Sequence, residues 1–88
     1  MTINDIKNRI QFENQIKVYF KLATRSPIIG KFIKLSDHEE KYAKGYIRFI
    51  SENNRRVYQE GDLSVAKLIL IESISWIEKV PEYATVRN

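Results

Sequence analysis

Hydrophobic and polar positions follow two different periods along the chain, and the first period is helical. The hydrophobic residues near the start are three and four positions apart, as on one side of a helix: Ile3, Ile6 and Ile10. Thr2 is a suitable N-cap, and Asp5 completes a capping-box pattern three residues later. The pattern predicts an N-terminal helix within residues 1–13. A helix this short needs a larger surface to pack on.

From Gln15 onward the period changes to two, which is typical of half-buried β-strands. It predicts five short strands, in "QIKVYFKL", "IIGKFIKL", "YIRFI", "VAKLILI" and "ISWIEKV". Gly30 lies inside the second strand, where a glycine usually marks a sharp bend or a close backbone approach. The polar segments "SDHEEKYAKG" and "SENNRRVYQEGD" are predicted to be loops or hairpin extensions. Pro81 ends the last strand, and residues 81–88 are predicted to be a tail.

These elements predict one mainly β domain, because 88 residues leave no room for a second core. Strands this short protect their edges best in a closed or nearly closed barrel. The alternation within each strand favours antiparallel neighbours. We therefore expect an N-terminal helix followed by a small, strongly bent antiparallel barrel over residues 15–80.

The segment "KLILIESISWIEKV" is the most apolar in the chain, and its first strand is hydrophobic on both faces. Successive strand residues point to opposite sides of a sheet, yet Leu68 to Ile71 are all large hydrophobes. One face would fill the barrel. Two isoleucines left exposed on the other face would forfeit about 1.5–3 kcal/mol of burial each. Either the helix or the tail covers this face within one chain, or another molecule does.

The order of the elements resembles the Sm-like fold, in which a helix precedes a bent five-stranded meander and a very short turn joins the last two strands. "PIIGKFIKLSD" is similar to the first Sm motif, with matching residues at Ile28, Gly30, Phe32, Leu35 and Asp37. "KLILIESISWIEKV" is similar to the second Sm motif. The resemblance extends from about Ile3 to Val80 and implies an Sm-like or SH3-like barrel. Other small SH3-like barrels could match the same motifs.

Two features depart from the Sm pattern. Sm proteins usually carry an Asn a few residues after the motif Asp, where it helps to hold a base, and "HEEKYAKG" contains none. The turn between the last strands is commonly Arg-Gly in the family, or Lys-His in its bacterial RNA-chaperone branch. Here the turn is Glu72-Ser73, and a carboxylate repels phosphate. The family's nucleotide pocket is therefore not carried over to these positions.

The resemblance also implies self-association. Sm-like subunits pair the fourth strand of one copy with the fifth strand of the next, which would cover the outer face of the fourth strand here. This implies a homo-oligomeric ring of about five to seven copies, closed by heterologous contacts. The expected interface residues are Leu68, Ile69, Leu70, Ile71, Trp76 and Ile77.

Net charge and aromatic content indicate a nucleic-acid partner. The chain carries a net charge of +4, with a pI of about 9.4, which is compatible with a polyanion. Cations alternate with tyrosines in "KYAKGYIR" and "NNRRVYQ", and this combination suits single-stranded nucleic acid. The candidate binding residues are Lys41, Tyr42, Lys44, Arg48, Arg55, Arg56 and Tyr58. Alternatively, the lysines only solvate loops and the tyrosines cover barrel edges.

Other functional classes find no support in the sequence. The absence of cysteine excludes disulfides and thiolate metal sites. His38 stands among acids and is expected in a solvated loop rather than at a metal. We find no catalytic constellation, and we expect no enzyme activity, no cofactor, no membrane span and a cytoplasmic location. The sequence predicts an Sm-like protein that binds RNA or single-stranded DNA in nucleic-acid processing or chaperoning. The alternative is a structural or protein-interaction module.

Overall fold

The computed structural model describes residues 3–80, which form one five-stranded antiparallel sheet and three short α-helices. The strands are β1 (Ile16–Phe20), β2 (Ile28–Ile33), β3 (Tyr46–Ser51), β4 (Lys67–Leu70) and β5 (Ile74–Lys79). Their order in the sheet is β4-β3-β2-β1-β5. The sheet is bent but not closed, because β4 and β5 are its two edges. The predicted mainly β fold, with a helix before five antiparallel strands, is confirmed.

The N-terminal helix, α1 (Ile3–Arg9), is shorter than the predicted segment 1–13. Its Ile6 is buried in the core, and α1 packs mainly against β5. The chain leaves the helix because residues 12–13 pair with β2 instead. Phe12 forms a parallel bridge with Phe32, and the Glu13 N–H donates to the Phe32 carbonyl at 3.0 Å. The predicted N-cap, Thr2, lies outside the described residues.

The main core lies on the inner face of the sheet, beneath α1. It contains Ile6, Ile16, Val18, Phe20, Phe32, Ile47, Phe49, Ile69, Ile71, Ile74 and Ile77. Strand β1 alternates strictly between buried and half-buried positions, as its period-two pattern predicts. Leu22 was expected on the same face, but it lies beyond the end of β1 and is exposed.

A second, smaller core covers part of the outer face. Ile33, Ile50 and Ala66 are buried there, and the half-buried side chains of Leu35, Tyr58 and Val65 pack against them. Tyr58 belongs to α3 (Arg55–Gln59), a short helix between β3 and β4. The prediction of a loop or hairpin extension for this segment is wrong, because burial of Tyr58 holds the segment on the sheet as a helix.

The connection between β2 and β3 is also helical, contrary to prediction. It forms α2 (His38–Ala43), which has Lys44 as its C-cap and is followed by Gly45. Gly45 has a φ of 91°, a conformation that favours glycine, and its N–H donates to the Tyr42 carbonyl at 3.0 Å. The half-buried Tyr42 packs against the main core. This anchor outweighs the charged composition that suggested a loop.

Gly30 makes a close backbone approach, as predicted. A Cβ atom at this position would lie only 1.9 Å from the Ile50 carbonyl oxygen and 2.8 Å from Cζ of Phe49. Only glycine allows β2 and β3 to lie this close together. Position 30 requires glycine because of packing and not because of its backbone torsion angles.

The link between β4 and β5 is a single 3₁₀ turn, Ile71–Ser73, which confirms the very tight connection read from the sequence. The Ile71 N–H donates to the Gly45 carbonyl at 2.8 Å, and the Ser73 hydroxyl donates to the Leu70 carbonyl at 2.6 Å. This turn therefore lies next to the end of the α2 segment. None of the helices within residues 3–80 is long and apolar enough to cross a membrane.

Candidate nucleic-acid interface

Three aromatic rings meet at α2, two of them from α2 itself and the third from the segment that follows α1. The ring of His38 stacks on that of Tyr42, with centroids 5.2 Å apart and an interplanar angle of 30°. On its other side, His38 meets the ring of Phe12 edge-on, with centroids 5.3 Å apart and an angle of 89°. All three residues are half-buried, so each ring has both packed and accessible surface. The stack gives the protein a small aromatic surface near α1.

Two lysines flank this aromatic surface. The Lys7 Nζ lies 4.8 Å from the centroid of the Tyr42 ring, and the Lys34 Nζ lies 4.6 Å from that of Phe12. Both distances are within the range of cation–π attraction, about 0.5–1 kcal/mol at exposed sites. The set Lys7, Phe12, Lys34, His38 and Tyr42 is called the Tyr42 cluster below.

The Tyr42 cluster combines the two chemical properties that single-stranded nucleic acid requires. An accessible aromatic face can stack on any base, and an ammonium group beside it can bind the adjoining phosphate. Lys41 adds a third ammonium group on α2, although it forms a 3.7 Å ion pair with Glu40. The contact is long, and Glu40 is largely exposed while Lys41 is half-buried, so the pair contributes little and phosphate could compete for the lysine.

The sequence identified only Tyr42 and Lys41 in this region. Lys7 lies on α1, Phe12 follows it, and Lys34 follows β2, so their proximity arises from the fold and has no local signal. His38 does have one, because it is four residues before Tyr42, a spacing that places both rings on one side of a helix. The expectation of a solvated loop around His38 is wrong. Within residues 3–80, no cluster of three or more potential ligands could hold a metal ion.

Arg48 serves the fold rather than an open binding surface. Its guanidinium donates to both carboxylate oxygens of Asp37, at 2.7 and 3.1 Å, and to the Ala66 carbonyl at 2.8 Å. The hydrogen bonds from Arg48 lower the pKa of Asp37, and the same pairing raises the pKa of Arg48. Three of its five N–H groups are in use and the Asp37 carboxylate neutralises its charge, so Arg48 is a poor phosphate ligand, contrary to the sequence-based expectation.

The candidates on α3 lie on the opposite face of the sheet from Tyr42. Tyr58 packs on the outer core, whereas Tyr42 packs on the inner core. Arg56 is almost fully exposed and forms a 3.7 Å ion pair with Glu60, while Arg55 is half-buried. Lys44, the C-cap of α2, is exposed. The two basic, tyrosine-containing segments therefore do not form one continuous surface.

The predicted interface residues divide into two groups. Ile69, Ile71 and Ile77 are buried in the protein's own core, so their side chains cannot face a neighbour. The exposed members are Leu68 (40%), Leu70 (42%) and Trp76 (42%). The strand pairing places these three on the outer face. The isoleucines that we expected at the surface are thus inside, and the leucines occupy the uncovered face.

No protein-family model, no curated protein and no solved structure matches this chain significantly. The functional assignment therefore depends on the geometry of the Tyr42 cluster and on the two edge strands.

Proposed function

We propose that this protein binds single-stranded nucleic acid, RNA before DNA, through the Tyr42 cluster, and that it does so as a self-associating, Sm-like ring. The observation that carries the proposal is the convergence of three half-buried rings and two lysine ammonium groups from separate segments. A role in nucleic-acid processing or chaperoning follows from binding alone and requires no catalytic group.

Binding would use groups that are already in place within the cluster. Lys7 and Lys34 lie over aromatic rings in the free protein. When a base stacks on the ring, the ammonium group can move from the ring to the adjoining phosphate. Stacking of one base on an aromatic ring contributes about 1–3 kcal/mol. One such site is weak by itself. A ring would repeat it around an axis, and linked sites on one strand bind with much higher avidity than each site alone.

The two edge strands support the ring. Within residues 3–80, β4 and β5 each have a side without a partner strand, so β4 of one copy could extend the sheet of the next at its β5. The outer faces of the two neighbouring sheets would then form one continuous surface. Leu68 and Leu70 of one copy would lie near Trp76 of its neighbour, and all three side chains would lose exposed apolar surface.

Fluorescence anisotropy of a labelled, unstructured oligoribonucleotide, longer than about 16 nucleotides, tests the nucleic-acid proposal. We expect binding at low salt that weakens as salt is added. The double variant Lys7→Gln/Lys34→Gln should reduce affinity and lower the salt slope by roughly 0.7 for each phosphate that the protein no longer neutralises. The matched control, Lys21→Gln/Lys79→Gln, removes the same charge from exposed positions outside the cluster and should retain most of the binding.

Equal reductions of affinity in the two double variants would show that only net charge matters, and would reject the Tyr42 cluster as the site. Absence of binding at low salt would reject the proposed function as a whole. An otherwise identical oligodeoxyribonucleotide separates RNA from DNA as the partner.

A second candidate function is a protein-interaction module without nucleic acid. The exposed outer-face side chains of Leu68, Leu70 and Trp76 favour it, because such a surface suits an apolar partner. The ultraviolet absorbance of the purified protein distinguishes the two candidates. Co-purified nucleic acid favours the first, and nucleic-acid-free protein that retains a protein partner favours the second.

A further inference from the structure

A cleft of about 120 Å³ lies at the end of β3 that is opposite to Gly45. It is enclosed by the segment that leads into β1, by β2, by the end of β3 and by α3. Its lining includes Gln15, Gly30, Ile33, Ile50, Arg55 and Tyr58. None of these residues belongs to the Tyr42 cluster, so the cleft is a separate feature.

Gln15 provides a buried acceptor without a donor. The residue is only 4% exposed, and its Oε1 atom has no hydrogen-bond partner among the described residues. Its backbone carbonyl is satisfied by the Val80 N–H at 3.1 Å, so the unmet requirement belongs to the side chain alone. Buried side-chain acceptors nearly always have a partner, and one without a partner destabilises the fold. A ligand in the cleft that donates an N–H or O–H group could satisfy this acceptor after a small shift of the Gln15 side chain, which lines the cleft.

Arg55 provides a positive charge that pairs with no carboxylate of residues 3–80. Its side chain is half-buried in the wall of the cleft. The next residue, Arg56, differs in every respect: it is exposed, pairs with Glu60 and does not line the cleft. An arginine held in this way can form bidentate hydrogen bonds with an anion.

We propose that the cleft binds one nucleotide unit. A base N–H would donate to Oε1 of Gln15, and the attached phosphate would accept from Arg55. The volume is below the roughly 300–1,000 Å³ of pockets for larger ligands, and it suits one ring system rather than an extended molecule. Glu13 and Glu52 also line the cleft, so the Arg55 guanidinium must outweigh the repulsion between these carboxylates and the phosphate. The choice of a nucleotide, rather than another anion with an N–H group, rests on the proposed function.

Amide chemical shifts of the full chain, followed by NMR while each of the four ribonucleoside monophosphates is added, test this proposal. We expect perturbations centred on Gln15, Gly30, Arg55 and Tyr58. Gln15→Met preserves the size of the side chain and removes the acceptor. Arg55→Gln removes the cation. Each should weaken binding about tenfold or more, because each removes a hydrogen bond or ion pair to the ligand. The matched control, Arg56→Gln, should bind as the unchanged protein does.

Inorganic phosphate is the probe for an anion-only site. If phosphate alone reproduces the perturbations, or if Gln15→Met binds nucleotides normally, the base contact is wrong and the proposal is overturned. If Gln15→Met loses the native amide spectrum, the comparison of Arg55→Gln with Arg56→Gln decides instead. Both of these positions are on the short surface helix α3, where substitution should not prevent folding.

The failure of this proposal is distinguishable from failure of the proposed function. Oligoribonucleotide binding that depends on Lys7 and Lys34, without any response in the cleft, would overturn the cleft and leave the function intact. A cleft that binds monophosphates in a protein that does not bind oligoribonucleotide would support a free-nucleotide site and reject the function. If a monophosphate displaces the labelled oligoribonucleotide, the nucleotide that the cleft binds belongs to an RNA strand.

Discussion

The guanidinium of Arg48 and the carboxylate of Asp37 form a two-point contact, with N–O distances of 2.7 and 3.1 Å. The same guanidinium donates to the Ala66 carbonyl at 2.8 Å. Three parts of the chain therefore meet at the Arg48 side chain: the start of α2, the middle of β3 and the segment before β4. Bidentate pairs of this kind are among the stronger hydrogen-bonded contacts in proteins, and this one is partly shielded from water.

The Asp37–Arg48 pair predicts loss of stability in acid. The pKa of Asp37 is lowered, chiefly by the hydrogen bonds from Arg48. Because the pKa of Asp37 is lower in the folded state, its ionised carboxylate stabilises the fold at pH values above the unfolded pKa of about 3.9. This contribution disappears as the pH falls further, towards the folded pKa. We expect Asp37→Asn to lower the melting temperature at pH 7 and to reduce its dependence on pH below about 4.

Thermal unfolding followed by circular dichroism between neutral and strongly acidic pH measures this effect. Asp62→Asn is the matched control. The pKa of Asp62 is also lowered, but by hydrogen bonds from the nearby Ser64 that connect no distant segments. An acid-unfolding profile of Asp37→Asn that coincides with that of the unchanged protein would contradict the structural role of the pair.

The strands could be predicted from the sequence because alternation is a local signal. Residues two positions apart share a face whatever the rest of the chain does. The alternation therefore predicts one shared face for Ile16 and Val18 and another for Ile47 and Phe49, and all four residues are buried. The sequence also showed that the fourth strand is hydrophobic on both faces. It could not show whether the leucines or the isoleucines of this strand face the core, because Ile and Leu are similar in hydrophobicity and the choice depends on the register of strand pairing.

The two short helices were missed because tertiary contacts stabilise them. Asp37 and Glu40 are spaced as in a capping box, but the Asp37 carboxylate bonds to Arg48 instead and makes no cap. Tyr58 anchors α3 in a core formed by residues distant in sequence. The Tyr42 cluster combines three separate segments for the same reason. Interleaved lysines and tyrosines could suggest Tyr42, but they could not identify Lys7 or Phe12 as its neighbours.

Gly30→Ala should be strongly destabilising. The added methyl group would lie 1.9 Å from the Ile50 carbonyl oxygen, a backbone atom that cannot move without separating β2 from β3. Overpacking of this kind typically costs about 1–3 kcal/mol, and a clash with backbone favours the upper end. Chemical denaturation measures the loss of stability. Gly61→Ala is a useful control, because no atom lies within 4 Å of a Cβ there and its cost comes only from the positive φ of 106°. Similar costs in the two variants would argue against the close approach at Gly30.

Alternate positions on β4 should respond differently to truncation. Ile69→Ala removes a side chain buried in the main core and is expected to cost about 2–5 kcal/mol of unfolding free energy. Leu68→Ala, at the neighbouring position, removes an exposed side chain and should change the stability of the single chain by about 0.5 kcal/mol or less. Urea denaturation at low protein concentration compares them. Equal costs would mean that the faces of β4 are wrongly assigned.

Self-association should be visible through the protein's only tryptophan. Trp76 lies on an edge strand, is 42% exposed, and has the Arg9 guanidinium 4.1 Å from its ring centroid. Pairing of β4 with β5 of the next copy would bring leucine side chains near this ring and remove water from it. We therefore expect the emission of Trp76 to shift to shorter wavelength as protein concentration rises, together with a light-scattering mass of about five to seven chains.

Leu70→Lys places a charge on the outer face of β4 and should reduce both the mass and the emission shift, because burial of an unpaired ammonium group opposes association. Leu22→Lys makes the same exchange at another exposed leucine, beyond the end of β1, and should assemble normally. Since both variants alter net charge equally, a difference between them can only reflect position. A mass of one chain at high concentration, or identical behaviour of the two variants, would exclude assembly through β4. The Tyr42 cluster would then have to bind nucleic acid as a single site, and its affinity should be correspondingly weak.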